Sequence, residues 1–160
     1  MSAVTPAELA RVNAELGRDA AGLTRWALGL GKNAIVTTNF RPFEAVILHL
    51  VTRVQPDMPV VWMDNGYNTE ATYRYADEVT RRLGLNLKTY LPLRTRAHRE
   101  AVEGPTPALD DPRHESFTQE VKLEPFARAL REQAPQVWFT ALRASDSAVR
   151  AQMEPVSINP

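Results

Sequence analysis

A three-layer α/β/α domain on a mainly parallel central sheet is what this sequence predicts, because short β-branched runs alternate with helical periodicities along most of its length. Asn33-Ala34-Ile35-Val36-Thr37-Thr38 and Val60-Val61-Trp62-Met63 have the length and composition of buried strands. After the second of them, apolar residues recur at three- and four-residue spacing, as in Tyr73, Ala76, Val79 and Leu83. Strands separated by helices imply right-handed crossovers, so the strands run parallel and helices cover both faces of the sheet.

The first 31 residues read as two helices. Thr5 is an N-cap with Pro6 at the first helical position and Glu8 three residues after the cap, and that helix runs to about Gly17. Asp19 to Leu30 repeats the pattern, with Leu23, Trp26, Ala27 and Leu30 on one face, and ends at Gly29 or Gly31. After the first strand, Asn39-Phe40-Arg41 is a turn and Pro42 opens a helix through Val51 that is apolar almost all round and so expected to be buried. Pro56 and Pro59 separate it from the second strand, which stops at Asp64-Asn65-Gly66. Asn68 or Thr69 caps the next helix, which keeps Arg74, Asp77, Glu78, Arg81 and Arg82 in water and ends at Gly84. Asn86 to Leu91 is a third strand, less apolar and therefore nearer an edge. A short helix spans about Arg96 to Val102, and the proline-rich stretch from Gly104 to Ser116 is expected to be a mobile surface loop. Phe126, Ala129 and Leu130 mark another helix, and Gln136 to Thr140 another strand, with Trp138 and Phe139 in the core. The whole, 1–160, reads as a single domain: helices over 1–31 and an α/β core over 32–160.

Composition removes several functions. The chain of 160 residues has 19 basic and 19 acidic side chains, so no global basic field marks it as a nucleic-acid binder. It contains no cysteine, which excludes disulfides, thiolate zinc sites, iron–sulfur clusters and cysteine nucleophiles within these residues. His49, His98 and His114 form no ligand pair, and His49, inside an apolar helix, is expected to be a hydrogen-bonded core histidine. No metal site is expected. The chain opens without a basic region and long apolar stretch, and nowhere approaches the roughly 20 apolar residues of a membrane span. A soluble cytoplasmic protein is expected.

In an open parallel sheet ligands sit beyond the carboxyl ends of the strands. Thr37-Thr38-Asn39, leading into a helix, offers free N–H groups to a phosphate, or else satisfies its own strand end. Asp64-Asn65-Gly66 is a turn triplet whose carboxylate is also suited to a ribose hydroxyl or an amino group. Arg143 and Arg150 flank a strand-to-helix junction, where guanidinium groups bind phosphate or sulfate, or pair on the surface. Lys122, just ahead of Glu124-Pro125, is a further cation or simply a solvated one.

The segments Thr37-Thr38-Asn39-Phe40-Arg41-Pro42 through Val51, Pro56 to Tyr67, Glu70 to Arg74, Leu85 to Tyr90, Lys122-Leu123-Glu124-Pro125 and Trp138 to Arg143, with Ser147 and Arg150, keep order and spacing over nearly the whole chain. Taken together they resemble the phosphoadenylyl-sulfate (PAPS) reductase family, whose domain is a PP-loop, adenine-nucleotide α-hydrolase-like fold. The resemblance implies assimilatory sulfate reduction, in which PAPS is cleaved to sulfite and adenosine 3′,5′-bisphosphate with electrons from thioredoxin or glutaredoxin. It implies that Thr37, Thr38 and Asn39 occupy the nucleotide loop, in which Arg41, a departure from the family's pattern, either donates a charge or blocks the loop. Asp64, Asn65 and Gly66 would form the adenosine-side motif, and Lys122, Arg143, Ser147 and Arg150 the phosphate and sulfate contacts. The expected partners are an adenine nucleotide, a second copy of the chain, and thioredoxin or glutaredoxin only for a complete enzyme. No bound cofactor is expected.

Four departures bear on that expectation. Arg41-Pro42 stands where the family's loop carries glycine, and Ala144 replaces the second arginine of the family's pair. The positions around Thr118 lack the paired cysteines of the iron–sulfur branch. The family's nucleophilic cysteine lies in a C-terminal tail past Ile158-Asn159-Pro160, and reduction by thiolate attack on sulfur would need residues not present here. Alternatives are a non-catalytic or regulatory paralogue acting through a protein partner, and an ATP-dependent adenylyltransferase of the same fold.

Overall fold

The structure, a computed structural model, describes residues 4–158; the outermost residues of the single domain read from sequence lie outside that range. Local signals set the first elements. Helix α1 (Pro6–Leu16) starts where Thr5 Oγ1 accepts the Glu8 N–H, and α2 (Ala20–Gly29) where Asp19 accepts the Gly22 N–H. Strand β1 (Ala34–Thr38) leads through a 3-10 turn at Pro42–Glu44 into α3 (Ala45–Val54). Strand β2 (Pro59–Met63) is followed by α4 (Glu70–Leu83), which Thr69 caps at one end and left-handed Gly84 (φ 62°) at the other. Strand β3 (Asn86–Tyr90) precedes α5 (Arg96–Glu103) and α6 (His114–Thr118). A π turn (Gln119–Leu123) joins α6 to α7 (Glu124–Gln133), and β4 (Val137–Phe139), a 3-10 turn at Ala144–Asp146 and α8 (Ala148–Ala151) follow.

The four strands are ordered β3-β2-β1-β4, and every neighbouring pair is parallel. Period-two alternation splits the core between two faces. Ala34, Val36, Val60 and Trp62 pack with Leu48 and Val51 of α3 and Ala76 and Val79 of α4. On the opposite face Ile35, Val61 and Tyr90 pack on Ala129 of α7. Ile35, Val36, Val60 and Val61 are fully buried, each worth about 1.5–3 kcal/mol relative to exposure. The expected three-layer α/β/α architecture is therefore present, with β3 at an edge.

Four local expectations are corrected. Residues 114–116 are not loop but the start of α6, whose first free N–H groups are met by Asp111 and Arg113 carbonyls. Helix α3 is not wholly buried: Val46 is 63% exposed, as is Phe43 (68%) in the turn before it, because α3 is covered on one side only. His49 accordingly faces solvent rather than the core. Trp138 is 38% exposed, since β4 is the other edge and its outer flank has no neighbouring strand among the described residues. No helix of the described residues is long and apolar enough to cross a membrane.

Candidate functional site

Because the sheet is parallel, the carboxyl ends of β1, β2 and β4 share one edge. The chain moves outward from β1 to β2 and β3, then returns to place β4 on the other side of β1. That reversal falls between the β1 and β4 ends, the crevice position at which doubly wound sheets take ligands.

At the β1 end, Thr37 Oγ1 accepts the Trp138 indole N–H at 2.9 Å, which ties β1 to β4 at the crevice floor. Thr38 is buried, and its hydroxyl accepts the Phe40 N–H at 2.9 Å while donating to Glu44 Oε2 at 2.7 Å. The same Glu44 oxygen accepts the Asn39 N–H at 2.6 Å and the Arg41 N–H at 3.3 Å. The positive φ of the loop falls on Phe40 (53°), whose buried ring meets Trp62 edge-on at 5.0 Å. Arg41 has φ −73° and ψ 149°, an ordinary conformation and the one a residue before proline prefers. A side chain at position 41 is thus compatible with this loop.

At the β2 end, Asp64 anchors a turn. Its Oδ1 accepts from the Gly66 N–H at 3.0 Å, Asn68 Nδ2 at 3.0 Å and the Tyr73 hydroxyl at 2.8 Å. Burial first, and then the bond to Asp64, push the Tyr73 hydroxyl above its ordinary pKa. Asn65 Oδ1 accepts the Tyr67 N–H at 2.8 Å, and Gly66 takes the left-handed φ of 79° that the turn requires.

At the β4 end, Arg143 stacks its guanidinium 4.7 Å over the Phe43 ring, which brings this segment against the β1 loop. Its Nε and Nη2 donate to Asp146 Oδ1 at 3.1 and 2.8 Å, and Arg150 Nη1 donates to Asp146 Oδ2 at 3.2 Å. Ser147 caps α8 by accepting the Arg150 N–H at 3.2 Å. Lys122 is exposed on the π turn. That turn is held by Glu120, which takes Arg94 Nε and Nη2 at 2.7 Å each, and the same guanidinium reaches Glu103 at 2.5 Å. Arg94 holds the Glu103 carboxyl below its usual range.

Three groups escaped the sequence reading. Glu44 and Asp146 carried usable signals, since each stands three residues after an arginine that precedes a helical turn, the spacing of a capping box. The buried Arg99, 4.4 Å over Phe117, carried none, because its burial depends on how α5 and α6 meet. Among the described residues no group of three or more His, Cys, Asp or Glu is placed to hold a metal ion.

The sequence model of the phosphoadenosine phosphosulfate reductase domain matches residues 33–160. The chain belongs to the PAPS reductase family. It is 39% identical to a phosphoadenosine 5′-phosphosulfate reductase of Synechococcus sp., over 99% of this chain and 69% of that one. It is 42% identical to the reductase of Xanthomonas euvesicatoria, over 91% of this chain and 61% of the relative, and 40% identical to that of Escherichia coli O9:H4, over 94% and 62%. The chain thus spans less than two thirds of the length of the latter two. The crystal structure of PAPS reductase from Candida auris in its phosphate complex superposes with a TM-score of 0.77 over 89% of this chain and 70% of that one; at 21% identity this shows the shared PP-loop fold.

Proposed function

We propose that this chain is the nucleotide-binding domain of a PAPS reductase-like protein, taking an adenine sulfonucleotide such as PAPS, or the product adenosine 3′,5′-bisphosphate, across the carboxyl ends of β1, β2 and β4. The observation that carries the reading is the strand-order reversal at β1, supported by the stack of Arg143, beyond β4, on Phe43, which follows the Thr37–Arg41 loop. In this reading the Thr38, Asn39 and Arg41 donors serve the anionic end of the ligand, as do Arg143, Arg150 and Lys122. Asp64, Asn65 and Gly66 shape the adenosine side, and Ser147 orients the Arg150 segment. Reduction would need a thiolate from outside these 160 residues, because none of them is a cysteine. Thioredoxin or glutaredoxin would then supply electrons to the complete system, a second copy of the chain is a candidate partner, and the cytoplasm is the compartment that suits both.

Calorimetric titration with adenosine 3′,5′-bisphosphate, AMP and ATP tests the reading. Micromolar binding that requires the 3′-phosphate is expected. Equal affinity for AMP, or no binding of any of the three, would overturn it in favour of a paralogue that works through a protein partner.

A further inference from the structure

Each of the two donor sets of the crevice is occupied by one of the chain's own carboxylates. At the β1 loop, a single oxygen of Glu44 collects the Asn39 N–H at 2.6 Å, the Thr38 hydroxyl at 2.7 Å and the Arg41 N–H at 3.3 Å. At the β4 end, Asp146 spans both arginines: Oδ1 takes Arg143 Nε and Nη2 at 3.1 and 2.8 Å, and Oδ2 takes the Arg143 N–H and Arg150 Nη1 at 3.2 Å each. Backbone N–H groups with a hydroxyl, and paired guanidinium groups, are the donors that phosphate and sulfate oxygens use. A carboxylate oxygen competes for them with similar geometry and charge.

The two sets are also adjacent. Phe43, directly before Glu44, lies under the Arg143 guanidinium at 4.7 Å, so whatever shifts the Glu44 turn acts on the arginine pair through that stack. Asp146 is held below the usual carboxylate range, first by the Arg143 backbone N–H and then by the arginine side chains, against the opposing effect of desolvation. It therefore remains an anion at neutral pH, and a ligand must displace it rather than wait for its protonation.

We propose that Glu44 and Asp146 are intramolecular competitors for the ligand's phosphate and sulfate groups, so that binding proceeds by exchange of protein carboxylates for ligand oxygens. This inference rests on the nucleotide reading given above. The exchange weakens every anionic ligand and favours one with two anionic groups, which can replace both carboxylates at once. It also explains why the Arg143 and Arg150 guanidinium groups are not simply open to solvent: both already pair with Asp146, which ligand binding must outcompete.

Titration of adenosine 3′,5′-bisphosphate and AMP into the wild-type chain, Glu44→Gln, Asp146→Asn and the double variant tests it. Each single change keeps the side-chain shape and removes the charge, and each is expected to tighten adenosine 3′,5′-bisphosphate binding by at least about fivefold, with a larger gain in the double variant. The two sites lie on separate segments, so a folding failure of one variant, seen by circular dichroism, leaves the other to decide. Wild-type binding with unchanged or weaker affinity in the folded variants would overturn the competitor role and leave the nucleotide reading standing. No binding by wild type or by any variant would overturn both.

Discussion

The Asp64 carboxylate and the Arg143 guanidinium are both charged groups at strand ends, yet their surroundings divide them. Asp64 is buried and already bonded to Gly66, Asn68 and Tyr73, bonds that fasten the β2 end to α4 with or without a ligand. Arg143 is exposed, and among the described residues its hydrogen-bond and stacking partners are Asp146 and Phe43. Truncating Arg143 should therefore spare the core while removing a charge from the crevice. A charge-assisted contact to phosphate is worth about 1.5–3 kcal/mol, so Arg143→Ala is expected to weaken adenosine 3′,5′-bisphosphate binding at least about tenfold with little change in thermal stability. Removing the Asp146 charge should move affinity the other way, and this opposition of sign separates a ligand contact from a general loss of structure. Unchanged affinity in a folded Arg143→Ala protein would take Arg143 out of the site.

The helix ends show how local chemistry positions the elements, and where it leaves stability unclaimed. Helix α7 ends on Ala134 at φ 41°, a left-handed residue whose N–H bonds the Leu130 carbonyl at 2.9 Å. A Cβ in that conformation costs about 1–2 kcal/mol, while glycine adds unfolded-chain entropy of about 0.4–1 kcal/mol in opposition. Ala134→Gly is thus expected to stabilise the fold by about 0.5–1 kcal/mol, raising Tm by a few degrees. A fall in Tm would mean that the Ala134 methyl packs usefully in the turn. The corresponding end of α4 already carries Gly84, and it was legible for that reason, as were the Thr5 and Thr69 caps. Capping is written within a few residues, and so are buried β-branched strands. Exposure at Trp138, the start of α6 at His114 and the half-open face of α3 were not legible, because each depends on which element lies alongside. The candidate site divides the same way. Thr37–Asn39, Asp64–Gly66 and Arg143 follow from strand ends, and the three-residue spacing of Arg41 to Glu44 and Arg143 to Asp146 is a local signal too, whereas the gathering of the Thr38 and Asn39 donors on Glu44 depends on loop backbone, including the positive φ at Phe40, that no residue spacing dictates.

Over the whole molecule, 19 acidic side chains balance 19 basic ones, and the structure places many of them in pairs rather than leaving them dispersed. Hydrogen bonds from Arg94 hold the Glu103 carboxyl below its ordinary pKa, and bonds from Arg128 do the same for Glu124. Arg143 lowers Asp146, and Arg113 carries Asp111 from 3.8 down to about 2. A carboxylate whose pKa is lower folded than unfolded binds fewer protons in the native state, so its contribution is complete above the unfolded value and is lost as pH falls through the folded one. For these groups the loss begins near 4.5, the ordinary value for Glu103 and Glu124, and extends to about 2 for Asp111. Protonation there also strips the arginines of their counter-charges, so the protein becomes strongly cationic as its pairs dissolve. All these pairs are solvent-accessible, which makes each one weak and the decline gradual rather than abrupt. Thermal unfolding followed from about pH 7 to about pH 2.5 is therefore expected to give a level Tm down to roughly pH 5 and a progressive fall below it. Asp111→Asn should flatten only the most acidic part of that curve, since its titration lies lowest. A Tm that stayed level to about pH 3 would show that these ion pairs persist equally in the unfolded chain and contribute nothing to the fold.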